Sequence, residues 1–138
     1  MIEQELTEKI INASIEVHKS LGSGLLKSAF QECLYFELKS RNLYVQKEIP
    51  CPIVYRDIKL DHGYRIDLLV ENKVIIEIKT VECFTDVPTA QVLSYLKLGG
   101  YPVGLLINFH TKLLKNEIKR FINTPYILCE ALCKTQRI

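Results

Sequence analysis

Three charged residues, Asp67, Glu77 and Lys79, sit inside two runs of β-forming side chains, Asp67-Leu68-Leu69-Val70 and Val74-Ile75-Ile76-Glu77-Ile78-Lys79. Strands this apolar belong in a core. A buried charge is costly there unless it is paired or binds a metal. Residues along a strand alternate between faces. Glu77 and Lys79 therefore share one face, and Val74, Ile76 and Ile78 take the other. On the preceding run Asp67 and Leu69 share a face, opposed by Ile66, Leu68 and Val70. Reading Glu71-Asn72-Lys73 as a three-residue hairpin loop pairs Val70 with Val74 and sets Asp67 opposite Glu77. Directly opposed Cβ atoms lie about 4.5–5.5 Å apart. Carboxylates that close repel each other unless a cation lies between them. A two-residue loop would put them on opposite faces, so the pairing of 67 with 77 tests the idea.

The chemistry such a pair offers is metal-assisted hydrolysis. Asp67 and Glu77 are hard oxygen ligands suited to Mg²⁺ or Mn²⁺, and the backbone carbonyl of Ile78 offers a third oxygen. A metal-activated water is a nucleophile, and Lys79 is placed to orient it or to stabilise charge on a phosphate oxygen. Gln91 and Tyr95 are four apart and share a helix face. If that face closes over the hairpin, Gln91 can bind a phosphate, the water or Lys79, and Tyr95 adds a hydroxyl or a stacking surface. The structural alternative is an ion-pair network in which Glu77 and Lys79 neutralise each other.

The elements that must position these residues follow from periodicity. Leu6, Ile10, Ala13, Val17 and Leu21 recur at helical spacing and predict a helix from about Glu3 to Leu21. Gly22-Ser23-Gly24 breaks it, and a second helix runs from about Leu25 to Ser40. Tyr44 to Tyr55 reads as extended, with Pro50 and Pro52 marking an edge strand or bulge. The hairpin strands run from Tyr64 to Val70 and from Lys73 to Val81. Thr89 to Leu98 is a helix capped by Gly99-Gly100, and Tyr101 to Asn108 is a buried strand parallel to the second hairpin strand. Lys115 to Ile122 reads as a short helix. The tail from 124 to 138 fits a strand or a helix. The order αα-βββ-α-β-α predicts an α/β domain with a mixed β-sheet, a central antiparallel hairpin and flanking helices.

The chain has 138 residues, 48% hydrophobic and 25% charged, which suits one domain with a proper core. A net charge of +2 is too small to imply nucleic-acid binding by itself. No run reaches the ~20 apolar residues of a membrane span. The polar, acidic start Met1-Ile2-Glu3-Gln4-Glu5 is unlike a signal peptide and points to the cytoplasm. The scattered cysteines, Cys33, Cys51, Cys83, Cys129 and Cys133, suit free thiols. Cys129 and Cys133 are spaced for one helix face and make only a weak case for zinc or an iron–sulfur cluster.

The ordered set Gly63-x-x-x-Asp67, Glu77-x-Lys79 and Gln91-x-x-x-Tyr95 resembles the RecB-like branch of the PD-(D/E)XK nuclease superfamily. The chain is more narrowly similar to the bacterial GxxExxY family, through Val17-His18-Lys19-Ser20-Leu21-Gly22-Ser23-Gly24-Leu25-Leu26, Asp67-Leu68-Leu69-Val70 and Gly104-Leu105-Leu106-Ile107-Asn108-Phe109. The resemblance implies a restriction-endonuclease-like core over about 10–123, within a single domain of 1–138. It also implies a metal-dependent nuclease acting on DNA or RNA, with Asp67, Glu77 and Lys79 in the catalytic positions. His18 is a further metal-ligand candidate by the same resemblance; its structural alternative is packing against the following glycine turn.

One position departs from the family. Its name-giving Glu and Tyr would fall on Lys27 and Phe30. In related nucleases an acidic residue on the first helices helps complete the metal site, and Lys27 reverses that charge. Two unit charges 4 Å apart interact by about 4 kcal/mol at an effective dielectric of 20. This motivates a second reading, a nuclease fold without catalysis that binds nucleic acid or protein, in which the Lys27 ammonium pairs with Asp67 or Glu77. Glu32 could replace the missing acid only if the helix rotates, and Phe30 reads as core. The set Lys112, Lys115, Lys119 and Arg120 reads as a solvated helix face, or as a track for a phosphate backbone.

Overall fold

A computed structural model describes residues 3–83 and 85–123. The tail from 124 to 138, with Cys129 and Cys133, lies outside them. Two helices come first, α1 (Gln4–Leu21) and α2 (Lys27–Ser40). They are followed by β1 (Val45–Pro50), β2 (Ile53–Tyr55), β3 (Ile58–Leu60), β4 (Arg65–Val70) and β5 (Val74–Lys79). Then come α3 (Asp86–Gly99), β6 (Val103–Asn108), a 3₁₀ turn (Leu114–Glu117) and β7 (Ile118–Ile122). The main sheet has five strands in the order β1-β4-β5-β6-β7, and β2 and β3 form a separate two-stranded sheet. The sheet is mixed: β5 and β6 run parallel, and the other neighbours are antiparallel.

The helices cover both faces. Ile10, Ala13 and Val17 of α1 and Phe30, Leu34 and Leu38 of α2 pack on Leu68, Val70, Ile76, Ile78, Leu105 and Ile107. Phe30 is core, its ring stacked on Phe109 at 4.6 Å between centroids. Val92, Tyr95 and Leu96 of α3 pack on the opposite face with Leu69, Ile75 and Leu106. Central strands buried on both faces read as unbroken apolar runs, which is why β4, β5 and β6 carry so few polar residues. Where α3 crosses β6 the contact is at Gly104. A Cβ there would lie 2.8 Å from Val92 Cγ1 and 3.1 Å from Ile75 Cγ1.

The α3 helix gains stability at both ends. The Thr85 hydroxyl accepts from the Val87 N–H, and Gly100, at φ 70°, accommodates the left-handed stop. Beyond β5, Asn108 is fully buried; its side chain donates to the Val81 carbonyl at 2.7 Å and accepts from the Val81 N–H at 3.1 Å. This clamp ties the chain leaving β5 to the end of β6.

Three expectations are corrected. Residues 118–122 form an edge strand paired with β6 rather than part of a helix. The edge of β6 rewards β pairing, and Ile118, Phe121 and Ile122 are strand formers. Lys119 and Arg120 are therefore strand neighbours pointing to opposite faces, so the basic set shares no helix face. The extended run 44–55 is divided: β1 ends at Pro50, and Ile53–Tyr55 pairs with β3 in the separate sheet. Finally, Ile66 does not share a face with Leu68 and Val70. It packs with Leu69 and Ile75 on the α3 side.

Candidate active site

The break in face alternation falls at Asp67. The β4–β5 ladder pairs Val70 with Val74, Leu69 with Ile75 and Leu68 with Ile76. The same register continued sets Asp67 against Glu77, as a three-residue loop requires. At that level side chains replace the backbone ladder. The Asp67 N–H donates to Glu77 Oε1 at 3.2 Å, and the Ile78 N–H donates to Asp67 Oδ2 at 2.9 Å. On the other flank, β1 keeps its register with β4 on both sides of Glu48, whose φ of 55° lies in the left-handed region. Glu48 thus stands across from Asp67 on a locally distorted strand, and the Gln31 amide donates to its carboxylate. The hairpin turn holds Glu71 and Asn72 at φ 53° and 54°, and Asn tolerates that region better than most residues.

Asp67 and Glu77 are buried, at 5% and 2% exposure. Burial raises the Glu77 carboxyl first, the neighbouring Asp67 charge raises it further, and together they push it to about 8. The hydrogen bond from the Asp67 N–H, and the cations Lys27 and Lys79, pull it back in part. Below about 8 the Glu77 carboxyl keeps its proton.

Lys27 is the nearest of those cations to Asp67, its Nζ 3.1 Å from Oδ1. It is the first residue of α2, a helix with no side-chain cap and no acidic residue in its first turn. A cation at a helix N-terminus opposes the macrodipole by about 0.3–1 kcal/mol, so Asp67 offsets a cost that Lys27 would otherwise carry. The helix end and the ammonium both direct positive potential at the acid pair. One turn along, Gln31 reaches Glu48, so a single face of α2 engages β4 and β1 side by side. Glu32 is engaged elsewhere, pairing with Lys47 at 2.7 Å.

The other candidates separate into two groups. Lys79 stands two residues from Glu77 on the same strand and contributes positive potential to it. Tyr95 is packed on the sheet beneath α3, and the Gln91 side-chain amide donates to its hydroxyl at 2.9 Å. Gln91 thus points at Tyr95 rather than Lys79. Burial raises the Tyr95 hydroxyl, and the charges of Glu77 and Asp67 reinforce the shift, so this hydroxyl lies within electrostatic reach of the acid pair. Cys51 is also raised, by burial and then by Glu77. His18 is directed away: its Nε2 lies 2.8 Å from the Thr111 carbonyl, and its ring flanks Phe109. Among the described residues no group of three or more His, Cys, Asp or Glu is placed to hold a metal ion. His18 therefore does not join Asp67 and Glu77 as a ligand set.

Sequence reasoning missed Glu48 and Gln31. Nothing local marks Glu48, since a glutamate on an edge strand is ordinary, and its position opposite Asp67 depends on β1 pairing with β4. The Gln31 signal was present: it lies four residues after Lys27, on the same helix face.

The donor chemistry suits a divalent cation. Two buried carboxyl groups converge, and burial together with the Asp67 charge holds Glu77 up near 8. Asp67 and Glu77 are the side chains that would hold the ion. Lys27 is its competitor at Asp67 Oδ1.

A family model described as PD-(D/E)XK nuclease superfamily matches residues 4–121. A solved structure described as "Crystal structure of SSO0001" is similar at 23% identity and a TM-score of 0.47. The alignment covers 86% of this chain and 57% of that one, so the chain spans little more than half of that protein's length. No curated protein matches.

Proposed function

The chain belongs to the PD-(D/E)XK nuclease superfamily, and from that premise we propose that it is a divalent-metal-dependent nuclease hydrolysing phosphodiester bonds in DNA or RNA, of the RecB-like, GxxExxY type. The observation that carries this is the convergence of Asp67 and Glu77, joined by reciprocal backbone-to-carboxylate hydrogen bonds, with Glu77 pushed to about 8. Asp67, Glu77 and the Ile78 carbonyl would hold Mg²⁺ or Mn²⁺. The chemistry such an ion supplies is polarisation of a phosphoryl oxygen and acidification of water.

The chain's own residues do the rest. The Ile78 N–H fixes Asp67 Oδ2, leaving Oδ1 directed at the site. The Asp67 N–H fixes Glu77 Oε1 in the same way. Lys79 holds positive charge beside Glu77, where it stabilises negative charge developing on phosphate. Gln91 keeps the Tyr95 hydroxyl oriented under α3, and burial of Asp67 and Glu77 strengthens the electrostatic contacts they make.

The test is cleavage of single- and double-stranded DNA and RNA with Mg²⁺ or Mn²⁺. Activity is expected to disappear in Asp67→Ala and Lys79→Ala and on chelation. Retained cleavage in both variants removes this site from the mechanism.

One observation favours a second reading. The Lys27 ammonium already neutralises Asp67, which suits a nuclease fold used as a binding module. Calorimetry with Mn²⁺ separates the two. Binding that Asp67→Ala abolishes supports the enzyme, and no binding by the wild type supports the module.

A further inference from the structure

The strands β2 and β3 form an arm outside the main sheet. Its root is the hydrogen bond from the Cys51 N–H to the Tyr64 carbonyl, at 2.9 Å. Tyr64 stands three residues before Asp67, a span of roughly 10 Å along an extended chain. The arm leaves large side chains in solvent: Val54, Tyr55 and Ile58 are 56%, 61% and 55% exposed. Aromatic and basic residues interleave along it as Tyr55, Arg56, Lys59, Tyr64 and Arg65. The Arg56 guanidinium lies 5.4 Å from the Tyr55 ring centroid, and Arg65 is turned toward Asp61 at 3.4 Å. Between the arm and α3 lies a cleft of about 450 Å³. Ile53, Tyr64 and Val87 line it together with Gln91, Tyr95 and Leu98. Gln91 and Tyr95 are hydrogen-bonded to each other in its wall, and the Tyr95 hydroxyl lies within electrostatic reach of the acid pair.

We propose that the arm and this cleft bind single-stranded nucleic acid, with an unpaired base stacked on Tyr64 in the cleft and Arg56 and Lys59 following the phosphates. The inference rests on the nuclease reading for the polyanionic backbone of the occupant. The chemistry of the surface chooses the form. Aromatic faces spaced among cations are what a single strand needs, because every base has a π-face and every linkage a charge. A base in a duplex already has both faces stacked and must be extruded before it can enter such a cleft. The edges of a base find hydrogen-bonding partners in the Gln91 amide and the Tyr95 hydroxyl. Arg56 and Lys59 stand against Asp57, since Asp61 is engaged by Arg65. The arm's free charge therefore complements phosphate.

The experiment is fluorescence anisotropy in EDTA, where cleavage is suppressed, with labelled oligothymidylate, oligouridylate and a duplex of equal length. The single strands are expected to bind at least about tenfold tighter than the duplex, and the DNA and RNA strands report which sugar is preferred. Tyr64→Ala is expected to weaken single-strand binding by about tenfold, the loss of one base–aromatic stack. Tyr64→Phe keeps the ring and retains affinity, which separates stacking from a folding defect. A duplex bound as tightly as the single strand, or Tyr64→Ala without effect, overturns the proposal. If no oligonucleotide binds and Tyr55→Asp abolishes self-association, the arm is a protein interface and the proposal fails. Single-strand binding without any metal-dependent cleavage upholds the arm while removing the catalytic reading. Metal-dependent cleavage with binding to duplex alone does the reverse.

Discussion

The Lys27 ammonium lies 3.1 Å from Asp67 Oδ1, so the N-terminus of α2 delivers a cation onto a carboxylate that is 5% exposed. The GxxExxY type proposed for this chain implies an acid at that position. A lysine reverses the electrostatics of the site while keeping the helix in place, because Phe30 and Leu34 still anchor α2 in the core.

On the proposed metal-dependent function, Lys27 sets the affinity for the ion. Lys27→Met removes the competitor, and Lys27→Glu adds a third carboxylate. The side chain is 40% exposed, so solvent screens much of the Coulomb energy. Even so, Lys27→Glu is expected to tighten Mn²⁺ binding by at least about tenfold, about 1.4 kcal/mol. Calorimetry checks this, and unchanged affinity would show that the ammonium does not stand where the ion binds.

Glu77 makes metal-free stability depend on pH. Its folded value of about 8 lies above the ordinary 4.5, so between them the folded protein holds a proton that the unfolded chain has released. Stability is then full below about 4.5 and falls as pH rises through about 8. Glu77→Gln keeps an acceptor for the Asp67 N–H and cannot ionise. It is expected to flatten that slope and to exceed the wild type above pH 8 by a few kcal/mol at most. Urea denaturation in EDTA across this window measures it, and parallel profiles for the two proteins would place the proton elsewhere.

Gly104 sets the seat of α3. A methyl there meets Val92 and Ile75 at 2.8 and 3.1 Å, so Gly104→Ala must push the helix off the sheet. The expected cost is about 1–3 kcal/mol, read as a lower Tm. Since Gln91 and Tyr95 ride on that helix, cleavage should fall as well. A variant with an unchanged Tm would mean that the helix shifts without penalty.

Asn108 holds the exit of β5. Asn108→Ala leaves the Val81 N–H and carbonyl without their side-chain partner, at a cost of about 1–3 kcal/mol. Hydrogen exchange should quicken around Val81 before it does in β4, whereas uniform exchange would indicate a global effect.

Much of this was legible along the chain. The helices α1 and α2 follow from apolar spacing, and the parallel placement of β5 and β6 follows from the intervening helix. The register of 67 against 77 follows from the length of the Glu71–Lys73 loop. Those features are local: a turn length or a period decides them. The misplaced pieces depend on distant partners. Residues 118–122 have helical neighbours in sequence, but the open edge of β6 claims them. Ile66 obeys alternation only on a regular strand, and the strand is irregular where Glu48 and Asp67 meet.

The site divides along the same line. The sequence by itself placed Asp67, Glu77 and Lys79 on facing strands of one hairpin, because strand periodicity and a three-residue loop set the register; Asp67 and Glu77 are buried there and Lys79 is half-buried. Only the tertiary structure decided what meets them. Packing of α2 across the sheet brings Lys27 to Asp67 and Gln31 to Glu48. Packing of α1 against the chain after β6 gives His18 to the Thr111 carbonyl and so takes it out of the group. These are contacts between elements far apart in the chain, set by how apolar faces pack, and a linear pattern holds no record of that geometry.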